Sequence, residues 1–323
     1  MGQTAKLHHT VPKFYLRGFA DERERIVTIR LPDKKLPPQS IDKTAATNHF
    51  YSVAGHPDGT DAFEKALNRL ETPTADALRS LADGDWPLDE EKRTLVSYFL
   101  AMQAVRGPDQ RRNIGHMGTQ MIKLEAQFTK AEGAQAWAKR RLGVDVDAEE
   151  AARLLDRAAR PTQPLKVPPE VHLQNMASLS AKLTPYIVGR PWTLVRFERR
   201  SLLTCDSPVG LVRQPEDNQP WQGVGFLTAW GITFPVTRKI GLVMSNIDPL
   251  AEAGIPVERV WAGEFDREER GTTAYEKFIN ESTIDSASEC VYLHPDDERF
   301  LPNDLPEPRP ISMYGPGQEY VGD

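Results

Sequence analysis

The chain has 323 residues, of which 39% are hydrophobic and 27% are charged, a composition typical of globular proteins rather than disordered ones. Its net charge of −6 disfavours broad electrostatic binding to a nucleic-acid backbone. The sequence has no run of eighteen apolar residues and no apolar signal segment near Met1, so we expect a soluble, cytoplasmic protein without a membrane partner. The two cysteines, Cys205 and Cys290, are too few for a disulfide framework. We expect both to be reduced and packed in the protein interior.

Short strands are expected near the N-terminus. Residues 25–31 (RIVTIRL) alternate apolar and polar side chains and include β-branched residues, which predicts a half-buried strand. The proline-rich segment 35–40 (KLPPQS) is expected to form a loop. Residues 47–53 (TNHFYSV) fit a second short strand.

From residue 61 the periodicity becomes helical. Asp61 fits the N-cap of a first helix, and Pro73 is expected to start a second one that ends at Gly84. A third helix over residues 88–106 is apolar nearly all round, which predicts a central buried helix. Further helices are expected over residues 109–141 and 147–160.

Strands dominate the C-terminal half. Four prolines in residues 161–169 predict a linker, and a helix is expected from residue 170 to 184. Strands are expected at WTLVRF, SLLTC, GFLTAWGITFPV, KIGLVMS and CVYL, with a helix over residues 273–288 before the last. Helices in the middle with strands at both ends predict an α+β fold, in which a helical bundle packs on a mainly antiparallel sheet. The C-terminal strands would build this sheet, joined by the N-terminal ones.

The same patterns predict a division of the chain into five parts. They are an N-terminal segment with short strands, a helical region, a proline-rich linker, a sheet-rich region and a loose tail, over residues 1–60, 61–160, 161–169, 170–301 and 302–323.

The opening residues 8–19 (HHTVPKFYLRGF) resemble the first motif of the family called domain of unknown function 4238. The resemblance extends over most of the chain, although Cys205 and Ser207 depart from the family's pattern. Further positions of the chain resemble the family's later blocks. They are Phe50 and Tyr51, Glu64 and Glu71, Arg106, Thr204 to Pro208, the segment FPVTRKIGLVMS, and Asn280. The resemblance implies a bacterial protein and carries no established activity.

His8 and His9 are the first candidate catalytic residues. Adjacent side chains in an extended segment point to opposite faces, so the two rings do not easily bind one metal ion. One ring can serve as a metal ligand or general base, while the other pairs with a carboxylate. The alternative is a structural role in which both rings hydrogen-bond across an interface.

Glu64 and Glu71 are candidate catalytic acids. They lie two helical turns apart and therefore share one face of a helix. Paired carboxylates can hold a divalent cation or divide acid and base roles. Alternatively they are solvated, or they form salt bridges with an arginine such as Arg106.

Asp206, which follows a predicted strand, is the last candidate catalytic residue, although Asp-Ser-Pro is also ordinary turn chemistry. Candidate substrate-binding residues are Tyr15 and Arg17 from the opening motif, Arg106 and Asn280. Arg106 can bind a phosphate or complete a helix C-terminus. Asn280, in the middle of a predicted helix, is expected to bind backbone or ligand.

Two main hypotheses for function follow, and the sequence leaves open whether the protein is an enzyme. The first is a metal-assisted hydrolase or nuclease that acts on a phosphodiester or nucleotide with a divalent ion, in a bacterial conflict system. The second is a non-enzymatic binding or sensing module in which the same residues form a structural polar network. Nucleotides, nucleic acids and proteins are the expected partners.

A third hypothesis is a ribonuclease, because Arg111 and His116 fit an R-x4-H pattern that would need a dimer partner. Glycine-rich phosphate loops and the HExxH and GxSxG motifs do not occur in the sequence. Their absence removes the common ATPase, dehydrogenase, zincin and α/β-hydrolase hypotheses.

Overall fold

The structure, a computed structural model, describes residues 7–53, 59, 62–129, 133–215 and 223–309. The α+β class predicted from the sequence is confirmed. No helix within these ranges is long and apolar enough to cross a membrane.

The chain divides into two compact units. One comprises Met1–Gly107 with Leu173–Asp323, and the other comprises Pro108–His172. The five-part division expected from the sequence stays a prediction.

The helices follow in chain order, and all but the shortest were expected. They are α1 (Lys13–Leu16), α2 (Ala62–Asp83), α3 (Glu90–Val105), α4 (Pro108–Phe128), α5 (Ala134–Leu142), α6 (Ala148–Ala159), α7 (Pro169–Leu183), α8 (Pro185–Val188), α9 (Asp248–Glu252), α10 (Val257–Trp261) and α11 (Thr273–Ser286).

The strands form three sheets within the described ranges. They are β1 (Leu7–His9), β2 (Arg25–Arg30), β3 (Lys34–Ser40), β4 (Ala46–Asn48), β5 (Trp192–Arg196), β6 (Thr204–Cys205), β7 (Gly210–Val212), β8 (Gly231–Thr237), β9 (Ile240–Met244), β10 (Arg267–Arg270) and β11 (Cys290–Leu293). Their orders are β1-β4, β10-β5-β9-β8-β7 and β3-β2-β11-β6. All pairs are antiparallel except β10 with β5.

Two of the N-terminal strands, β2 and β3, share a sheet with C-terminal strands, as the sequence predicted. β2 lies antiparallel to β11, with Ile29 opposite Val291, and β11 also pairs with β6. The apolar side chains of these strands bury one cluster that includes Val27, Cys205 and Leu293. This pairing joins an N-terminal and a C-terminal part of the first unit in one sheet.

The loop predicted for residues 35–40 is wrong, since this segment forms most of β3. The strand tolerates Pro37 and Pro38 because it lies at the edge of its sheet. The register moves from Ile26 opposite Gln39 to Thr28 opposite Leu36, so both prolines occupy a β-bulge. Neither proline therefore has to donate a ladder hydrogen bond.

The helix break predicted at Pro73 is also wrong, because α2 continues through this residue. Proline has no N–H to bond the carbonyl one turn earlier. The residues before and after Pro73 are threonines, and each hydroxyl donates to the carbonyl four residues earlier. Thr72 donates to Asn68 at 3.0 Å and Thr74 to Leu70 at 2.8 Å. The helix also packs along α3, which favours continuity over a break.

Several other boundaries differ from expectation. The helix expected over residues 109–141 is two helices, α4 and α5, and of the strand expected over 47–53 only β4 forms. The third helix is confirmed as α3, and the side chain of Asp89 caps it by accepting from the Lys92 amide at 2.8 Å. The predicted N-cap Asp61 and the end of the tail, residues 310–323, lie outside the described residues.

The second unit has its own small core, in which Trp137 of α5 and Leu155 of α6 pack with alanines of α4, α5 and α6. The proline-rich segment lies along α4. The Leu165 amide donates to the Thr119 hydroxyl at 2.8 Å, and a β-carbon at Gly115 would collide with the Leu165 carbonyl. Glycine is therefore required there for the close approach of the two segments.

Candidate functional site

One cavity of the first unit brings together most of the predicted site residues. Its volume is about 350 Å³, and its walls come from β1, α1, the turn after β4, one face of α2 and the end of α3. The predicted residues that line it are His8, His9, Arg17, Glu64, Glu71 and Arg106. We call it the His8–Glu64 cavity.

The His8 ring is fixed by a backbone hydrogen bond. The side chain is 1% exposed, and its Nδ1 accepts from the Tyr51 amide at 2.7 Å. The ring also stacks on the Tyr51 ring, with the two centroids 5.6 Å apart. Because Nδ1 is an acceptor, the proton of the neutral imidazole lies on Nε2.

The Nε2 atom of His8 has no hydrogen-bond partner among the described residues. It lies 3.6 Å from Glu64 Oε2, just beyond hydrogen-bonding distance. A protonated Nε2 has no lone pair, so in this arrangement it can donate to an acceptor but cannot bind a metal ion or accept a proton. His8 therefore presents a buried donor towards Glu64.

Glu64 lies in the first turn of α2 and is 30% exposed, so its carboxylate reaches the cavity. The same helix face adds further polar side chains at spacings of four and three residues. These lining residues are Asn68, Glu71, Thr72, Asp76 and Arg79. The cavity wall is thus one polar stripe along α2, which is possible because the helix continues through Pro73.

Arg106 is 3% exposed and joins three elements of the wall. Its guanidinium donates to the Tyr51 hydroxyl at 2.9 Å, to Glu71 Oε1 at 2.7 Å and to the His9 carbonyl at 2.7 Å. Removing one member of such a buried charged network leaves its partners without compensation. Arg106 and Glu71 therefore hold β1, the Tyr51 turn and α2 together.

His9 points away from His8, as adjacent residues of a strand do. Its Nε2 donates to the Ile41 carbonyl at 3.3 Å. Burial lowers the pKa of His9, the nearby Lys13 charge acts in the same direction, and the hydrogen bond to Ile41 opposes them. His9 is therefore held neutral more strongly than an exposed histidine.

Three cations of the cavity lining have side chains that are 49–67% exposed, and each is in an ion pair at the protein surface; we call this exposed part of the lining the mouth of the cavity. The pairs are Lys13 with Asp42 at 3.0 Å, Arg17 with Glu24 at 2.6 Å, and Arg79 with Asp76 at 2.9 Å. Exposed pairs of this kind contribute little free energy. The cations can therefore exchange their partners for an anionic ligand at small cost.

The other predicted site residues lie outside the lining of this cavity in the described structure. Tyr15 is buried, with its hydroxyl donating to the Pro235 carbonyl and accepting from Thr204, both at 2.7 Å. Burial raises its pKa well above the ordinary value. Tyr15 thus joins α1 to two strands of different sheets.

Asp206 and Asn280 bind backbone. The Asp206 carboxylate accepts from the amides of Ser288, Glu289 and Cys290 at 2.8–3.0 Å, which fixes the turn into β11. Asn280 accepts from the Leu203 amide at 2.9 Å and donates to the Ser201 carbonyl and to Glu276. Both side chains therefore connect segments of backbone, and their predicted roles in a site stay predictions.

A family comparison covers most of this chain. The family described as Protein of unknown function (DUF4238) matches residues 7–297. The chain belongs to this family. The membership predicted from the sequence is confirmed, while the correspondence of single motifs stays a prediction. No curated protein and no solved structure matches the chain.

In this DUF4238 protein the R-x4-H pair does not share a helix face, since five residues turn an α-helix by about 500°. Arg111 donates to the Val167 carbonyl at 2.7 and 2.9 Å. The basic side chains of α5 are also paired. Arg140 and Arg141 bind Glu125, and Lys139 binds Asp145.

Neither metal nor cysteine chemistry is favoured by the described residues of this family member. No group of three or more His, Cys, Asp or Glu side chains there has the arrangement of a metal site. Cys205 and Cys290 are free thiols, and burial raises both pKa values, that of Cys290 to about 11. Thiols of this kind are unreactive near neutral pH.

Sequence reasoning missed Lys13, Asn68, Thr72, Asp76 and Arg79 as residues of the cavity. The signal was present, because the last four continue the helical spacing of Glu64 and Glu71. Ending the first helix at Pro73 hid it, since the stripe then stopped halfway.

Proposed function

We propose that the protein is a binding or sensing module that takes a small dipolar ligand of the nucleotide class in the His8–Glu64 cavity. The observation that carries the proposal is the fixed His8 ring, whose buried Nε2–H faces a carboxylate open to the cavity. A buried donor without a partner is costly and is typical of sites completed by a ligand or an ordered water.

The size of the cavity supports a small molecule. Ligand sites of proteins commonly have volumes of about 300–1,000 Å³, and this cavity of about 350 Å³ lies at the lower end of that range. The lining combines apolar side chains such as Phe14 and Leu67 with the polar stripe of α2. A nucleoside monophosphate presents the same combination of an apolar ring and polar groups.

The charges of the lining support a dipolar ligand. Lys13, Arg17 and Arg79 at the mouth suit a phosphate group, which arginine binds through two parallel hydrogen bonds. Glu64 suits a hydroxyl or amino group that donates a hydrogen bond. A ligand with only one of these groups would bind either the cations or the carboxylate, but not both.

The framework around Glu64 is held in place before any ligand binds. The Tyr51 amide fixes the His8 ring, and Arg106 bonds both the Tyr51 hydroxyl and Glu71. Hydrogen bonds therefore connect β1, the Tyr51 turn and α2 around Glu64. A site of this kind loses little conformational entropy on binding, which favours affinity.

Hydrolysis of a phosphodiester or nucleotide, the other hypothesis from the sequence, has less support. Nε2 of His8 carries a proton in this arrangement, and the described residues have no cluster of metal ligands. Hydrolase or nuclease activity, the divalent ion and the conflict-system role stay predictions.

Isothermal titration calorimetry with adenosine monophosphate, adenosine and inorganic phosphate tests the proposal. We expect the monophosphate to bind more tightly than either fragment. Only this compound has both a phosphate for the cations and hydroxyl and amino groups for Glu64. Glu64→Gln should weaken binding about tenfold or more, since a hydrogen bond to a charged group contributes about 1.5–3 kcal/mol.

Glu258→Gln is the matched control, because Glu258 is exposed on α10 and far in sequence from the cavity lining. It should leave the affinity unchanged. Heat of binding that is absent for all three compounds, or binding that Glu64→Gln and Glu258→Gln affect equally, would contradict the proposal.

A further inference from the structure

We infer that two copies of this chain associate through an exposed apolar stripe on α4. The stripe consists of Met117, Met121, Leu124 and Phe128, whose exposed fractions are 47%, 62%, 53% and 84%. Large apolar side chains exposed together on one helix face are typical of interaction surfaces. The inference concerns the second unit and does not depend on the proposed ligand cavity.

The spacing of the stripe is that of a helix-pairing seam. Its residues are separated by four, three and four positions, and the half-buried Ile114 extends the series by three towards the N-terminus. Alternation of three and four places all five side chains at the a and d positions of a heptad. A seam from Ile114 to Phe128 spans about 21 Å, at 1.5 Å per residue.

The opposite face of α4 is already occupied within its own unit. Ala126 belongs to the small core with Trp137, Thr119 accepts from the Leu165 amide, and Gly115 lies against the Leu165 carbonyl. These residues fall at the b and f positions of the same heptad, away from the seam. The exposed stripe is therefore a second apolar face that the fold of the unit does not use.

The flanks of the seam carry no charge that would repel a second copy. Asn113, Gln120 and Gln127 form one flank, and Gly118 and Glu125 form the other. The carboxylate of Glu125 is paired with Arg140 and Arg141 of α5. Neutral amides on one side and a compensated acid on the other allow two identical seams to face each other, whereas uncompensated like charges would oppose it.

The area suffices for a weak but specific dimer. An aromatic side chain such as Phe128 buries about 150–250 Å², and counting the two methionines and the leucine at a similar size, these exposures correspond to roughly 500 Å² of surface per copy. Two copies together would bury about 1,000 Å², the lower limit for specific interfaces. A two-fold axis needs only one self-complementary patch, which a heptad seam provides.

Light scattering coupled to size-exclusion chromatography tests the inference, from micromolar to near-millimolar protein. We expect the mass of the full chain to rise with concentration from one copy towards two. Met121→Glu should weaken association at least about tenfold, because it buries a carboxylate of each copy at the centre of the seam. Phe128→Gln should also weaken it, and both side chains are exposed enough that folding, followed by circular dichroism, stays unchanged.

Leu227→Glu is the matched control, since Leu227 is 72% exposed and lies outside the stripe. It should associate like the unchanged chain. A one-copy mass at every concentration would overturn the inference and leave the stripe for a different partner. A dimer that persists in both stripe variants would overturn it too, because another surface would then join the copies.

Discussion

The His8–Glu64 cavity and the turn held by Asp206 contain the same types of polar residue and differ in what those residues bond. At the turn, both oxygens of Asp206 accept from backbone amides, and Asn280 nearby in the fold bonds two backbone segments. At the cavity, Nε2 of His8 has no such partner within the described residues, and Glu64 faces open space.

The comparison shows why residue type alone does not identify a site. A polar side chain whose hydrogen-bonding capacity is used by the backbone stabilises the fold, and one with remaining capacity at a cavity can bind a ligand. Arg106 belongs with Asp206 by this criterion although it lines the cavity, because its guanidinium bonds Tyr51, Glu71 and His9.

The largest expected effect is on stability at Arg106. Arg106→Ala should lower the free energy of unfolding by about 3–5 kcal/mol, because Glu71, Tyr51 and the His9 carbonyl lose a buried partner. Urea denaturation measures it. Arg79→Ala, which removes an exposed ion pair, should cost less than about 1 kcal/mol, and equal losses in the two variants would refute the distinction.

Asp206 and Glu64 should separate stability from binding. Asp206→Ala is expected to lower the free energy of unfolding by about 2–3 kcal/mol, since three backbone amides lose their acceptor, and to leave nucleotide affinity unchanged. Glu64→Gln should show the reverse pattern. Urea denaturation and calorimetry on both variants measure the two effects. Loss of nucleotide affinity in Asp206→Ala would contradict a purely structural role for Asp206.

A smaller effect is expected from pH. Burial lowers the pKa values of His9 and His294, so their neutral forms stabilise the fold above the ordinary value of 6.5. That stability is lost as the pH falls through 6.5 towards the lowered folded values. His9→Gln should reduce the slope of the free energy of unfolding against pH, and the remaining slope should come from His294. Denaturation between pH 5 and pH 7.5 measures the slope, and an unchanged slope in His9→Gln would exclude His9 as its source.

The smallest expected effect is at the mouth of the cavity. Arg79→Gln should weaken nucleotide binding a few-fold at low salt, and the difference should shrink as salt screens the exposed charge. Stability should stay within about 0.5 kcal/mol of the unchanged chain. Calorimetry at two salt concentrations provides the measurement, and a salt-independent difference would argue against a charge effect.

The sequence predicted those parts of the fold that local periodicity determines. The α+β class, α3 and the core strands β2, β5, β9 and β11 are set by patterns of apolar residues. It failed where tertiary contacts override local preference, at Pro73 inside α2 and at Pro37 and Pro38 in the bulge of β3. It also missed β10, whose four charged residues pair with β5 at a sheet edge.

The sequence identified several residues of the candidate site but not their hydrogen-bond partners. His8, His9, Glu64, Glu71 and Arg106 do line one cavity. What the sequence could not give is which atoms stay available, because that depends on partners distant in the chain. The Tyr51 amide that fixes the His8 ring is 43 residues away, and the three amides that occupy Asp206 are 82–84 residues away.

Nitrogen NMR of histidine-labelled protein during titration with adenosine monophosphate tests the account most directly. We predict that His8 carries its proton on Nε2 in the free protein, and that this Nε2–H resonance shifts on ligand addition in the unchanged chain and far less in Glu64→Gln. A proton on Nδ1, or an Nε2 resonance that stays unmoved when the ligand saturates the protein, would contradict it.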